Sequence, residues 1–255
     1  MDTRWIGHPF FHMEEVDSTN EEAKRYASQG VESGALIVAE KQTAGKGRRG
    51  RSWSNTPGEC LQMSLLLRPS LTPNETAGLT LVAALAVCRA VESVLPSLRP
   101  QIKWPNDVIV GTKKICGILV ELLLDAGQNI VVIGIGVNVN NMCFPGELRE
   151  KATSLRLETG RPVERELLME RIWQDFETLY ERYQLTNNMR GLKPDYEQRL
   201  VNIGRPVCVR YAAESLEGIA EGIDTEGRLL LRGNDGIQRR IDAGEVSVRG
   251  IYGYV

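Results

Sequence analysis

The chain has 255 residues, 42% of them hydrophobic and 25% charged, with a formal net charge of −2. That is room for one large domain with a small appendage; it excludes a disordered or collagen-like chain and argues against a protein held on DNA mainly by phosphate contacts. The five cysteines (Cys60, Cys88, Cys116, Cys143, Cys208) include no C-x-x-C pair and the only histidines are His8 and His12, a poor supply for a disulfide framework or a catalytic zinc site.

The first ten residues, MDTRWIGHPF, lack the apolar core of a signal peptide. The longest apolar stretch, near 79–88, is short of a bilayer span and ends at Arg89. A soluble cytoplasmic protein with no membrane partner is expected.

In chain order, Ser18 with Glu21 three residues on reads as a capping box opening a short helix that Gly30 ends. ALIVAE (35–40) is a buried strand, 42–58 a long loop with four glycines and a proline, and LQMSLLL (61–67) the next strand. Residues 73–95 read as one long apolar helix on a sheet. IKW (102–104) and VIV (108–110) flank the turn Pro105-Asn106-Asp107, and ICGILVELLL (115–124) and IVVIGIGVNV (130–139) are adjacent strands. Residues 163–185 are helical, with Leu167, Leu168, Ile172, Phe176 and Leu179 near one face. Composition shifts at 191–194. After a short helical piece come VCVRY (207–211), GIAEGI (218–223), RLLLR (228–232) and EVSVR (245–249), a small β-barrel or sandwich of about five strands. The domains expected are 1–192 and 193–255.

Two segments carry chemistry. The loop Gly45-Lys46-Gly47-Arg48-Arg49-Gly50-Arg51 combines glycines that let backbone amides approach an anion with cations that neutralise it. It formally fits G-x-G-x-x-G, but no helical period follows, as a dinucleotide fingerprint requires, and no Ser/Thr follows Lys46 as in a P-loop. A phosphate or carboxylate site and a solvated nucleic-acid patch both suit this composition. Lys103-Trp104-Pro105-Asn106-Asp107 sets a cation at a strand end and a carboxylate in the next turn, which serves a ligand or simply makes a good turn. Lys114 is open between a surface lysine and a ligand contact. Gly117, Gly134 and Gly136 lie in strands, where a glycine marks close approach by something else.

Together, DSTN (17–20), AEKQTAGKGRRGRSW (39–53), KWPND (103–107), KICGILVE (114–121) and GIGVNVN (134–140) resemble the biotin–protein ligase family in order and spacing, and GIDTEGRLLL with GEVSVRG resembles its small C-terminal domain. The resemblance covers nearly the whole chain. It implies an α+β catalytic domain of the class II synthetase type, with a mixed, largely antiparallel sheet flanked by helices, and a C-terminal SH3-like β-barrel. It implies ATP-dependent activation of biotin to biotinyl-adenylate, with Mg²⁺ accompanying ATP, then transfer to a lysine of a biotin carboxyl carrier protein. Carried over by motif, Arg48, Lys103 and Asp107 are catalytic, with Asp107 orienting the metal or the incoming lysine. Biotin falls to Ser18, Thr19, Asn20, Gln42, Gly45, Lys46, Gly47, Arg48, Lys114 and Gly117. The nucleotide falls to Arg48, Arg51, Trp53, Lys103, Asn106 and Asn138. Since the chain starts about fifteen residues before DSTN, the resemblance is to monofunctional members without a DNA-binding domain; a homodimer is in keeping with the family. Lys46 departs from the arginine of many members, keeping the charge and losing the planar fork. The competing readings are a lipoate–protein ligase, a nucleic-acid-binding regulator using KGRRGR, and a non-catalytic nucleotide-binding module.

Overall fold

The computed structural model describes residues 2–53, 56–125, 127–210, 215–242 and 245–248. In chain order the elements are β1 (Phe10–Val16), α1 (Thr19–Ser28), β2 (Leu36–Gln42), β3 (Cys60–Leu67), α2 (Pro73–Ala77), α3 (Leu79–Val94), β4 (Gln101–Lys103), β5 (Asp107–Val110), β6 (Lys113–Asp125), β7 (Gln128–Asn138), α4 (Leu148–Lys151), α5 (Leu155–Thr159) and α6 (Arg165–Gln184). Then follow α7 (Lys193–Glu197), β8 (Pro206–Arg210), β9 (Ser215–Ile223), β10 (Leu229–Gly233), β11 (Gln238–Ile241) and β12 (Glu245–Val248). Tyr211 and Arg249, read as strand residues from the sequence, lie outside the described residues.

The first seven strands form one sheet in the order β1-β2-β3-β7-β6-β5-β4. Only β1 and β2 run parallel, joined by α1 as a crossover; every other pair is antiparallel. The two-residue period of a strand sorts the side chains. On β3 and β7, Met63, Leu65, Leu67, Val131, Ile133, Ile135 and Val137 join the large core with α3 and α6. Leu66, Ile130 and Val132 point the other way and meet Ala23 and Ala27 of α1 in a second, smaller core. Continued along that second face, the residues become Gln62 and Ser64 on β3, Gly134 and Gly136 on β7, and Gly117 on β6. There only Leu119 of β6 offers an apolar side chain, and of α1 only the polar first residues, Thr19 and Asn20, reach over the sheet.

Several local expectations are corrected. Ser18 is the N-cap of α1 but makes no side-chain cap; Glu21 is instead drawn to Lys24 and Lys46. The expected single helix over 73–95 is two, α2 and α3, meeting at Gly78, where a Cβ would lie 2.3 Å from the Tyr183 hydroxyl. The capping box forms here, between Thr72 and Glu75. Taken together Pro73–Val94 is long and apolar enough to cross a membrane, contrary to the shorter stretch counted from sequence. It is, however, the central core helix, buried against the sheet and α6. Leu167 is exposed, because the face that meets the core is set by Leu168, Ile172, Phe176 and Leu179.

The C-terminal unit, expected as a barrel or sandwich, is a five-stranded antiparallel sheet in the order β11-β10-β9-β8-β12. Sequence reasoning missed β11, whose Gln-Arg-Arg-Ile carries too little apolar character. The unit is pinned to the first through Trp104, whose backbone N–H donates to Asn202 Oδ1 at 2.9 Å and whose indole N–H donates to the Gly227 carbonyl at 2.9 Å. Ile102 and Leu200 form a parallel bridge beside it.

Glu177 of α6 is buried and accepts backbone N–H bonds from Arg4 (3.0 Å), Trp5 (2.8 Å) and Ile6 (2.9 Å), fastening the N-terminal segment to the core. Burial pushes its pKa up, but those three donors and Arg4 outweigh it and hold the carboxyl below its ordinary value. A depressed folded-state pKa contributes stability that is present above the unfolded value and lost as pH falls through the folded one. Glu177→Gln should therefore cost about 1–3 kcal/mol near neutral pH, with the gap from the parent narrowing toward about pH 3. Urea unfolding at the two pH values checks this, and a gap independent of pH would refute it.

Candidate active site

The polar and glycine part of the sheet is the floor of a pocket, lined by Ser18, Thr19, Asn20, Gln42, Lys46, Gly47, Arg48, Trp53, Gln62, Asn106, Lys114 and Gly117, with Gly134 and Gly136 beneath. Gly117 and Gly136 are directly paired across β6 and β7. The Trp53 indole lies on that pair: a Cβ at Gly136 would sit 2.5 Å from the ring and one at Gly117 2.9 Å from it. Gly134 is bare for a similar reason, since a Cβ there would be 2.1 Å from Asn20 Oδ1.

One wall is a connected set of small polar groups. The Thr19 backbone N–H and hydroxyl both donate to Gln42 Oε1, at 2.7 and 3.1 Å. Gln42 Nε2 donates to Gln62 Oε1 at 2.7 Å. Ser64 Oγ lies 2.8 Å from the Thr19 hydroxyl and 2.6 Å from Asn20 Oδ1. Gln62 and Ser64 were not singled out from the sequence. The signal was there: two polar residues two apart in LQMSLLL share one face of a strand otherwise made for the core.

A second, larger pocket adjoins the first, lined by Gly47, Arg48, Arg49, Arg51, Trp53, Lys103, Asn106, Asp107, Lys114, Asn138, Phe144, Leu148 and Lys151. Gly47, Arg48, Trp53, Asn106 and Lys114 border both. The Gly-rich loop is a narrow hairpin. The Trp53 N–H donates to the Gly45 carbonyl (2.8 Å) and the Gly47 N–H to the Arg51 carbonyl (2.7 Å). A single 3₁₀ turn, Arg48–Gly50, forms its tip, with Arg49 (φ 59°) and Gly50 (φ 72°) left-handed. Gly45, expected among the biotin contacts, lines neither pocket; it faces the Trp53 carbonyl, 2.6 Å from where a Cβ would be, and serves the hairpin.

Arg48 Nη1 donates to Asn106 Oδ1 at 3.0 Å, and Asn106 Nδ2 donates to the Ile118 carbonyl at 3.1 Å, so the KWPND turn holds the loop's cation in place. Burial first, then the neighbouring Arg49 charge, lowers the Arg48 pKa from its ordinary value, with Asp107 opposing and Arg51 adding to it. A cation crowded in this way favours an anion beside it. Lys114 Nζ pairs with Asp107 at 2.6 Å and stands 5.6 Å from the Trp53 ring centroid. Lys103 is buried at the end of β4, opposite Asp107 in the hairpin register. Asn138 is buried, and its amide nitrogen donates to the Thr153 carbonyl at 3.1 Å and more weakly to that of Lys114. Among the described residues no group of three His, Cys, Asp or Glu could hold a metal ion.

Comparison with known proteins agrees with this geometry. The biotin/lipoate A/B protein ligase family matches residues 13–140, and the biotin protein ligase C-terminal domain matches residues 203–249. The bifunctional ligase/repressor BirA of Bacillus subtilis is 37% identical over 240 residues, 93% of this chain and 73% of that protein. The biotin–[acetyl-CoA-carboxylase] ligase of Paracoccus denitrificans is 36% identical over 231 residues, 88% of this chain and 94% of that protein. The solved biotin protein ligase of Aquifex aeolicus in complex with biotin and ATP has a TM-score of 0.83 at 30% identity, covering 94% of this chain and 98% of that one. The chain belongs to the biotin/lipoate A/B protein ligase family. Within it, the matched C-terminal domain and these relatives set it among the biotin–protein ligases.

The extended backbone at Gly136 tolerates a methyl group; the Trp53 ring above it does not. Gly136→Ala should drive the indole off the floor, so that an arginine-specific protease cuts the Arg48–Gly50 turn several-fold faster while the thermal midpoint stays near the parent's. Cleavage at the parental rate would show that the ring is not held by this contact.

Proposed function

We propose that the chain is a biotin–protein ligase that makes biotinyl-adenylate from biotin and ATP and transfers the biotinyl group to a lysine of a biotin carboxyl carrier protein. The observation that carries the reading is the pair of adjoining pockets, one small and rich in hydrogen-bonding groups, one larger and cationic, with Arg48 bordering both. The relatives support the substrates: the Paracoccus denitrificans protein is named for acetyl-CoA carboxylase as acceptor, and the Aquifex aeolicus structure holds biotin and ATP.

In the first step a biotin carboxylate oxygen attacks the α-phosphorus of ATP, and the bond to the bridging oxygen breaks to release pyrophosphate. Two anions must be brought together, so the chain's part is to place cations between them. Arg48, fixed by Asn106, and Lys103 take that role, with Arg51 toward the phosphates. Ser18, Thr19, Asn20 and Gln42 present hydrogen-bonding groups to the ureido ring; Lys46, Gly47, Lys114 and the backbone at Gly117 complete the small pocket. Trp53 and Asn138 border the nucleotide side. In the second step the neutral carrier lysine attacks the acyl carbon, AMP leaves with the anhydride electron pair, and the nitrogen loses a proton. The hairpin loop keeps water from the mixed anhydride meanwhile.

With one carboxylate at depth, Asp107, the larger pocket fits Mg²⁺ that arrives with the nucleotide and takes most of its ligands from phosphate and water. Asp107 would hold it, and when bound the ion shields the charge of the departing pyrophosphate. A homodimer also belongs to this reading. Among the described residues β6 pairs with β5 only as far as Gly117, leaving its edge beyond Ile118 open, with Leu122 and Leu124 exposed along it.

Biotin-dependent exchange of labelled pyrophosphate into ATP, with Mg²⁺ and no carrier, tests the function; exchange supported by lipoate and not by biotin would overturn it. Lys103→Ala should slow that exchange by about 10²–10³-fold with little change in equilibrium biotin binding. Comparable losses in both would remove Lys103 from the chemical step.

A further inference from the structure

The Gly-rich hairpin is tied to the molecule by a line of charges in which Glu21, Lys24 and Glu121 have no part in the chemistry above. Lys46 Nζ donates to Glu21 Oε1 at 2.7 Å, and Lys24 Nζ donates to the same oxygen at 2.7 Å. Lys24 also donates to Glu121 Oε1 at 2.7 Å, and Glu121 Oε2 accepts from Asn20 Nδ2 at 2.7 Å. The contacts run from the loop, through the first turns of α1, to a residue of the pocket wall. Lys46 directly precedes Gly47 and Arg48, which border both pockets.

Glu21 stands between two ammonium groups. The hydrogen bonds from Lys24 and then Lys46 hold its carboxyl below its ordinary pKa, so it is charged throughout the neutral range. Neutralising it would not merely remove an attraction. It would leave Lys24 and Lys46 facing each other across the gap, and the movable partner is the loop. Lysine at position 46 suits this arrangement. Its compact ammonium shares one carboxylate oxygen with a second lysine, whereas an arginine fork favours both oxygens for itself.

We propose that Glu21 is a positioning residue that latches the Gly-rich loop over the small pocket through Lys46, and so prolongs retention of the activated ligand. The ligand's identity rests on the biotin-ligase reading; the latch is a property of the unliganded chain and is tested as such. Exposed ion pairs are weak, so the effect is a modest change in rate.

The test is a double-mutant cycle of Glu21→Gln, Lys46→Met and the two combined, with two measurements. One is cleavage of the unliganded loop at Arg48, Arg49 and Arg51 by an arginine-specific protease. The other is release of biotinyl-adenylate formed from biotin, ATP and Mg²⁺. Each single variant should show both rates raised by about two- to five-fold. The double should be no faster than the faster single, and the differences should fade in about 1 M salt. Parental rates in Glu21→Gln, or effects that multiply in the double, would overturn the latch. The second pattern is also what a purely structural role of Glu21 in α1, or a direct ligand contact by Lys46, would give. If no adenylate forms, the functional reading fails, and the cleavage cycle alone still decides the latch.

Discussion

Where β6 and β7 pair, Gly117 opposite Gly136 removes two side chains from one face of the sheet, and the site depends on that bare patch. A pleated strand places every second residue on the same side. The face that buries Leu66, Ile130 and Val132 under α1 would otherwise continue as packed core. Glycine at 117, 134 and 136 and polar residues at 62 and 64 end the core there. The Trp53 ring and the Asn20 amide then occupy space that no side chain of the sheet contests. The loop closes as a hairpin because Trp53 has this flat surface to rest on.

Around that floor the charges are arranged as a shortage of anion. Arg48, Arg49, Arg51, Lys103, Lys114 and Lys151 border the larger pocket, against Asp107 and Glu147. Asp107 is paired with Lys114, and burial together with its neighbours lowers the Arg48 pKa. Mutual repulsion among fixed cations is relieved when phosphate and carboxylate groups enter. The same logic explains why an acidic chain overall carries a local cationic site. Its charge balance lies in the distribution.

The KWPND turn links this site to the C-terminal sheet. Trp104 is buried, with one hydrogen bond from its backbone and one from its indole to the second unit. Lys103 precedes it and Asn106 follows two residues on, so the positions of the buried lysine and of the residue holding Arg48 are set from both sides. Val246 of β12 borders the larger pocket as well. The small domain therefore helps to locate groups in the large one.

The strands of the first unit other than β1, the break in composition after α6 and the cationic loop were legible in the sequence, because two-residue alternation, glycine and charge are local properties. So was the family, from five short motifs in order. Local pattern failed where a distant partner decided the outcome. Glu21 does not complete a capping box on α1 because its carboxylate is drawn to Lys24 and Lys46, and where α2 meets α3 the Tyr183 hydroxyl takes the Glu75 carbonyl and leaves room at position 78 only for glycine. Gly45 lies against the Trp53 carbonyl and the Gln42 amide, and Gln62 and Ser64 gain meaning only beside Thr19, Asn20 and Gln42. The sequence by itself determined which residue types are present and the period at which they recur. The tertiary structure alone decided which of them meet, because hydrogen bonds, ion pairs and steric exclusion act over a few ångströms between groups that the chain separates by tens of residues.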